Sequence, residues 1–432
     1  MRLIEVIVSE KNLSEAIKAV KRNKGAAGID KMKVNELDQY FKEHKTEIVE
    51  QILHKKYKPQ PVRRVYIPKP NGQKRPLGIP TVVDRVIQKA VAQILMRGYE
   101  KYFSDNSYGF RVGRSANMAV GQVLVYLNKG YEWVIDLDIQ KYFDKVNHDK
   151  LISILREKVK EAEVLHLVRS FLKAGVMENG LVSPTTEGVP QGGTLSPVLS
   201  NIYLDKLDKE LEYRGLRFAR YADDCNIFVK SELAAERVMK SIVSWIERKL
   251  FLKVNAEKSR IVRPTKSQFL GFTFCKTGEK WQSKPMDDRI TRLYSKVKTI
   301  TCRKRATAKP MSYTFTKLNQ LIQGWINYFR IGKMKVKMQA FGEWMRHKVR
   351  VVIVKQWKNC QTIYKNLQIL NRIGKCGLSD EAIYKVANSR LGWYKRCSMD
   401  VVNYLLSPEI LSIKTAGRPG LVNPLQYYLG SL

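Results

Sequence analysis

Two neighbouring carboxylates, Asp223 and Asp224, end the stretch Tyr221-Ala222-Asp223-Asp224, which lies between Leu216-Arg217-Phe218-Ala219-Arg220 and Cys225-Asn226-Ile227-Phe228-Val229. Two strand-like segments joined by adjacent aspartates read as a hairpin whose tip carries the carboxylates. Because side chains alternate faces along a strand, the two aspartates cannot both point into a core. Backbone demands of a turn explain one such aspartate, but a second acidic cluster points to chemistry. Asp136 and Asp138, at the end of Trp133-Val134-Ile135-Asp136-Leu137-Asp138, stand two apart and share one face of a strand, and Asp144 follows. Three carboxylates from two strand ends could hold two Mg²⁺ ions, hard cations that take oxygen ligands and leave room for substrate phosphates. Two such ions about 4 Å apart activate an attacking hydroxyl and steady the leaving oxygen of a phosphoryl transfer.

The elements that must position these groups are α+β in residues 1 to about 280, where helical patterns alternate with short β-branched runs. Pro190-Gln191-Gly192-Gly193 provides backbone that can approach a neighbour closely. A helix is expected after it, with Pro197 in its first turn, Leu195, Val198, Leu199, Ile202, Leu207 and Leu211 as its buried stripe, and Gly215 closing it. The texture changes at Arg289. Residues 289–372 hold 20 Lys and Arg against the single acid Glu343, with aromatics interleaved at helical spacing. That spacing is a core pattern, so Trp325 and Phe329 are expected to be buried.

Tyr221-Ala222-Asp223-Asp224 resembles the catalytic motif of reverse transcriptases, and Asp138-Ile139-Gln140-Lys141-Tyr142-Phe143-Asp144 resembles their first metal-binding motif. Further matches stand in the family's order: Ile67 to Pro80, with Lys69-Pro70-Asn71-Gly72 at its turn, then Ser107-Tyr108-Gly109-Phe110-Arg111, Pro190 to Pro197, and Phe269-Leu270-Gly271-Phe272. Asn23 to Asp30, the continuation Phe143 to His148, and Gly324-Trp325-Ile326-Asn327-Tyr328-Phe329 are similar to the bacterial group II intron-encoded reverse transcriptases and maturases. The resemblance implies an α+β right-hand polymerase of fingers and palm over 37–280, after an N-terminal extension over 1–36. An all-α thumb or maturase domain over 281–372 and a small DNA-binding region over 373–432 follow.

Carried over residue by residue, the resemblance makes Asp138, Asp223 and Asp224 catalytic and, with the Ile139 carbonyl, ligands of two Mg²⁺ ions, with Asp136 the competing choice for Asp138. It implies nucleotide contacts at Lys69, Arg75, Gln191 and Lys258, and a ring at Phe143 that would collide with a 2′-hydroxyl. Either Phe143 or Tyr142 could pack while the other gates. Phe269, Leu270 and Gly271 resemble the primer-positioning turn, and RNA contacts are expected at Lys24, Arg63, Arg111, Lys333, Lys335 and Lys337. The implied partners are group II intron RNA, an RNA template with a DNA primer, target DNA and dNTPs.

Composition agrees. The 432 residues carry 78 Lys and Arg and 40 Asp and Glu, a net charge of +38, with 44% hydrophobic residues. That is ample for packed cores and argues against disorder. Charge of this size spread along the chain calls for a polyanionic partner. No apolar run is long enough for a membrane span, and Met1 to Val6 lacks a signal-peptide core, so a bacterial cytoplasmic, nucleic-acid-associated protein is expected. The six cysteines and five histidines have neither zinc nor disulfide spacing. Reduced, mostly packed thiols follow, and no endonuclease is expected in 373–432. The competing readings are an RNA-binding splicing factor without polymerase activity, and a reverse transcriptase of a defence or diversification system or an RNA-dependent RNA polymerase.

Overall fold

The computed structural model describes residues 2–68, 72–415 and 417–430. The chain divides into two compact units, up to Phe269 and from Leu270 onward. Ten strands are described: β1 (Val62–Pro68), β2 (Lys74–Ile79), β3 (Trp133–Leu137), β4 (Val176–Glu178), β5 (Leu181–Ser183), β6 (Arg217–Tyr221), β7 (Asp224–Val229), β8 (Arg260–Val262), β9 (Phe272–Thr277) and β10 (Lys280–Pro285).

In the first unit, the fingers sheet runs β2-β1-β4-β5 and the palm sheet β6-β7-β3-β8. The palm sheet is antiparallel throughout. Its central strands β3 and β7 are apolar on both faces, Val134, Ile135, Ile227 and Phe228 being fully or almost fully buried, which fits strands covered on both sides by helices. One covering helix is Ser196–Tyr213, with Pro197 in its first turn and the whole expected stripe from Leu195 to Leu211 buried. A second helix, Val82–Tyr99, packs on Ser196–Tyr213 and is buried around most of its circumference, as its Val- and Ala-rich sequence requires. Its first turn is closed by Thr81, whose hydroxyl accepts from the Asp84 amide at 3.1 Å.

The N-terminal helix Glu10–Asn23 packs on this second helix, and Asn12 fixes the contact by donating to the Ala90 carbonyl at 3.1 Å. A loop with Gly28 set against the Thr81 backbone follows.

The second unit opens with the β9–β10 hairpin, which spans the expected domain boundary at 280. Helices Asp287–Ile300, Met311–Phe329, Lys335–Gln356 and Cys360–Ile373 follow, then short helices to residue 430. Phe315, Leu318, Ile322, Phe341, Met345 and Val349 form its core. Phe329 is buried as expected. Trp325 is only half-buried, because it lies over the Phe329 ring at 4.6 Å and keeps its other face outward.

All six cysteines are free. Only Cys225 and Cys397 are buried, while Cys302 and Cys360 are exposed on helix ends, so the expectation of mostly packed thiols is corrected. Among the described residues no helix is long and apolar enough to cross a membrane.

Candidate active site

Register sets the acidic cluster. Strand β6 pairs with β7 up to Tyr221 opposite Asp224, leaving Ala222 and Asp223 as a two-residue turn. Strand β3 pairs with β7 up to Leu137 opposite Cys225, so the next step places Asp138 beside Asp224. Adjacent carboxylates from two strands and a turn thus gather at one edge of the palm sheet. Ala222 sits at φ +58°, a left-handed conformation that costs a residue with a Cβ about 1–3 kcal/mol unless its surroundings hold it.

They do hold it. Arg220 is completely buried, and all its N–H groups find acceptors. It makes a bidentate pair with Asp208, Nε to Oδ1 at 2.7 Å and NH2 to Oδ2 at 2.5 Å. It also donates to Ser107 Oγ at 2.8 Å, Asn201 Oδ1 at 3.3 Å and the Ala222 carbonyl at 2.8 Å. Residues 106–108 extend along β6, with the Tyr108 amide on the Arg220 carbonyl and the Arg220 amide on the Asn106 carbonyl, both at 2.9 Å. Gly109 follows with its backbone against the turn: a Cβ there would lie 2.3 Å from the Ala222 nitrogen.

The choice between Asp136 and Asp138 rests on partners. Asp136 Oδ1 accepts from Asn226 at 2.6 Å and Ser267 at 2.7 Å, and its Oδ2 pairs with Arg260 at 3.1 Å. Its oxygens are engaged by protein donors, which suits a structural residue. Asp138 is half-exposed and forms an ion pair with Lys258, whose Nζ lies 3.6 Å from Oδ2. Its backbone is fixed by Ser259 Oγ and by the Asn255 amide, which donates to the Asp138 carbonyl at 2.8 Å. Burial, then the neighbouring Asp138 carboxylate, raises the pKa of Asp223, while Arg75 and Arg220 oppose the rise.

Among the described residues no three His, Cys, Asp or Glu side chains are already drawn together as a metal-holding group. The donor set nonetheless fits a hard cation, since it offers carboxylate oxygens from neighbouring strands and the turn between them.

The other expected residues divide. Tyr142 is buried and donates to the Ser200 carbonyl at 3.1 Å, while Phe143 packs edge-on against it at 5.1 Å and stays half-exposed. Arg75 is exposed on β2, and Lys69 lies outside the described residues. Gln191 is half-buried, its carbonyl accepting from the Gly78 amide at 2.7 Å. Gly192, at φ +115°, makes its close approach to β2, where a Cβ would lie 2.6 Å from the Gly78 oxygen, so its freedom serves the fold rather than a ligand. Phe269 is fully buried, and Leu270 and Gly271 follow at φ +53° and +82°, a sharp turn.

Of the expected RNA contacts, Lys24, Lys333 and Lys335 are exposed. Lys337 is paired with Asp287 at 2.7 Å. Arg63 donates to the Ala27 carbonyl at 2.8 Å and ties down the N-terminal loop. Arg111 is corrected: it is 7% exposed and its guanidinium is held by Glu100 and the carbonyls of Ser104 and Ser107, so it belongs to the scaffold behind the turn.

Sequence reasoning missed Arg220, Asp208 and Asn201. A signal existed: Asn201 and Asp208 fall on the same helical stripe as Leu204 and Leu211, and Arg220 interrupts an apolar strand. Two opposite charges breaking two buried patterns mark an internal pair.

Comparison with known families agrees with the geometry. The family described as reverse transcriptase (RNA-dependent DNA polymerase) matches residues 67–274, and the group II intron, maturase-specific domain matches residues 290–369. Protein YkfC of Escherichia coli is 33% identical over 300 residues, 60% of this chain and 79% of that protein. The group II intron-encoded protein LtrA of Lactococcus lactis is 42% identical over 184 residues, 42% of this chain and 31% of that protein.

Proposed function

Because the chain belongs to the family of group II intron-encoded reverse transcriptases and maturases, we propose that it copies an RNA template from a DNA primer with dNTPs and binds its intron RNA to assist splicing. Its enzyme class is RNA-directed DNA polymerase, and a domain of this kind uses divalent metal ions. In this reading Asp138, Asp223 and Asp224, with the Ile139 carbonyl, hold two Mg²⁺ ions. When bound, these ions supply activation of the primer hydroxyl and stabilisation of the leaving oxygen.

The chain's own residues do the rest. Arg75, with Lys69, binds the triphosphate, since long cationic side chains make charge-assisted contacts with phosphate. Phe143 excludes the 2′-hydroxyl, and Gln191 steadies the incoming nucleotide. Lys258, beside Asp138, donates a proton to the departing pyrophosphate. The turn Phe269-Leu270-Gly271 seats the primer end. Exposed cations of the helical unit, Lys333 and Lys335 among them, meet RNA phosphates, together with Lys24 on the N-terminal extension. Residues 373–432 contact target DNA during intron mobility in the bacterial cytoplasm.

The observation that carries this reading is the placement, by strand register, of Asp138 beside Asp224 and next to the Ala222-Asp223 turn. The test is primer extension on an RNA template with dNTPs and Mg²⁺. Asp138→Asn and Asp223→Asn should each abolish extension while circular dichroism and Tm stay at or above the parent's, because removing one of several mutually repelling carboxylates relieves strain. Near-normal extension by either variant would remove the assignment.

A further inference from the structure

Away from the acidic cluster, the helix Lys335–Gln356 carries Glu343, Arg346, His347 and Arg350 three, four and seven residues apart, hence on one face. With Ser398 and Asn403 they line a cavity of about 360 Å³. Arg350 is 8% exposed. Its Nε donates to the Leu406 carbonyl at 3.0 Å, NH1 to Asn403 Oδ1 at 2.5 Å and NH2 to the Asn403 carbonyl at 3.2 Å. Every one of these acceptors is neutral, N–H groups remain on both terminal nitrogens, and among the described residues no carboxylate pairs with Arg350.

A cation taken out of water needs an opposite charge, and neutral acceptors return only part of its lost hydration. Burial first, then the neighbouring Arg346, brings Arg350 down to about 10. Burial also lowers Arg346, against the pull of Glu343 and Glu409. Burial, Lys348 and Arg350 lower His347, whose ring stands edge-on to Tyr394 at 4.1 Å and whose Nε2 has no hydrogen-bond partner. The one acid lining the cavity, Glu343, is exposed, so solvent screens it. Two guanidinium groups and an imidazole therefore line a space whose one lining acid, Glu343, is exposed to solvent.

We propose that this cavity is a phosphate site that takes one phosphodiester group of a bound nucleic-acid backbone, held by Arg346, Arg350 and His347 Nε2. Guanidinium groups suit a phosphate because their fork matches its oxygens. Exposed lysines of the same unit would contact backbone wherever it lay. A half-enclosed cluster holds it at one fixed place, where the long helix meets residues 398–408.

The test uses the full chain and three probes: inorganic phosphate, a short duplex DNA and an RNA hairpin. The Arg350 side-chain Nε–H resonance should shift on adding duplex or hairpin. Arg346→Gln should weaken binding of the nucleic acid that occupies the site about tenfold, the loss of one charge-assisted contact. It should also flatten the log–log salt slope by roughly 0.7 to 0.9. Lys304→Gln, at an exposed position, reports what the loss of any one charge does, and its loss of affinity should be clearly smaller. Arg350→Lys should keep part of the binding. If Arg350→Met fails to fold, Arg346→Gln still decides, since it leaves the Arg350 bonds to Asn403 and Leu406 in place. A response to inorganic phosphate without one to either nucleic acid would make this a small-anion site and overturn the backbone assignment. An Arg350 resonance indifferent to all three probes, or an Arg346→Gln protein indistinguishable from Lys304→Gln, would overturn the site itself.

Discussion

Arg220 turns back on the hairpin it enters and donates to the carbonyl of Ala222, 2.8 Å away, while Asp208 grips the other side of the same guanidinium. The turn that presents Asp223 is thus fastened from inside the palm. Removing one partner of a buried pair leaves the other charge alone and costs about 3–5 kcal/mol, whereas replacing both with apolar residues is often close to neutral. Arg220→Met alone should therefore unfold at lower temperature. Arg220→Met combined with Asp208→Leu should regain most of that Tm yet extend primers with a much reduced kcat and a nearly unchanged KM for dNTP. Adding Ala222→Gly, which adopts the left-handed turn without strain, should return part of the kcat. A double variant with parental kcat would reduce the pair to a stabilising role.

Phe143 is the ring of its pair left half-exposed, since Tyr142 is committed to the core through Ser200. Phe143→Ala should admit ribonucleotides, read as the ratio of rNTP to dNTP incorporation on one template. Tyr142→Ala should instead lose stability by about 3–5 kcal/mol, the usual cost of deleting a large buried ring. An unmoved ratio in Phe143→Ala would withdraw the gate.

His148 is buried, with Nε2 donating to the Gly188 carbonyl at 2.6 Å and Nδ1 lacking a partner. Burial lowers its pKa below the ordinary 6.5. The unfolded chain then takes up the proton more readily, so the neutral ring's contribution is complete above 6.5 and declines as pH falls through the depressed folded value. Thermal unfolding between pH 7 and 5 should show an acid limb that His148→Gln flattens. A limb equally steep in the variant would assign it to other groups.

In the proposed reading polymerisation needs the carboxylates, while helping an intron to fold needs binding energy for an RNA shape. Asp223→Asn/Asp224→Asn should therefore still promote splicing. Among the basic residues at the start of the helix Lys335–Gln356, Lys335 is free to meet phosphate whereas Lys337 is already paired with Asp287. Lys335→Gln should flatten the salt dependence of intron binding more than Lys337→Gln does. Equal and negligible effects would move the RNA surface elsewhere.

What could be read from the sequence was whatever rests on pattern. Short apolar, β-branched runs at 133–137 and 225–229 placed the aspartates on strand ends, and the stripe from Leu195 to Leu211 placed the helix after them. The shared face could not separate Asp136 from Asp138; the family resemblance favoured Asp138, and the surrounding side chains supply the physical reason, since Asn226, Ser267 and Arg260 occupy Asp136. Arg111 was misjudged for a related reason: a cationic residue in a loop reads as a surface group, and its burial depends on Glu100, a residue on another turn of chain. Ser407 and Pro408 cap and open the helix Pro408–Ser412, as their residue types favour at a helix start.

Gly109 lies 113 positions before Ala222 in the sequence, yet its backbone rests on that residue's nitrogen with no room for a Cβ. For anyone randomising this enzyme to change its fidelity or its substrates, the alphabet at 109 is a single letter. A library that treats distance along the chain as distance from the chemistry will discard its members there without learning why. The same closeness offers an instrument: a backbone amide isotope label at Gly109 would report on the Ala222-Asp223 turn from the far side, without touching a carboxylate.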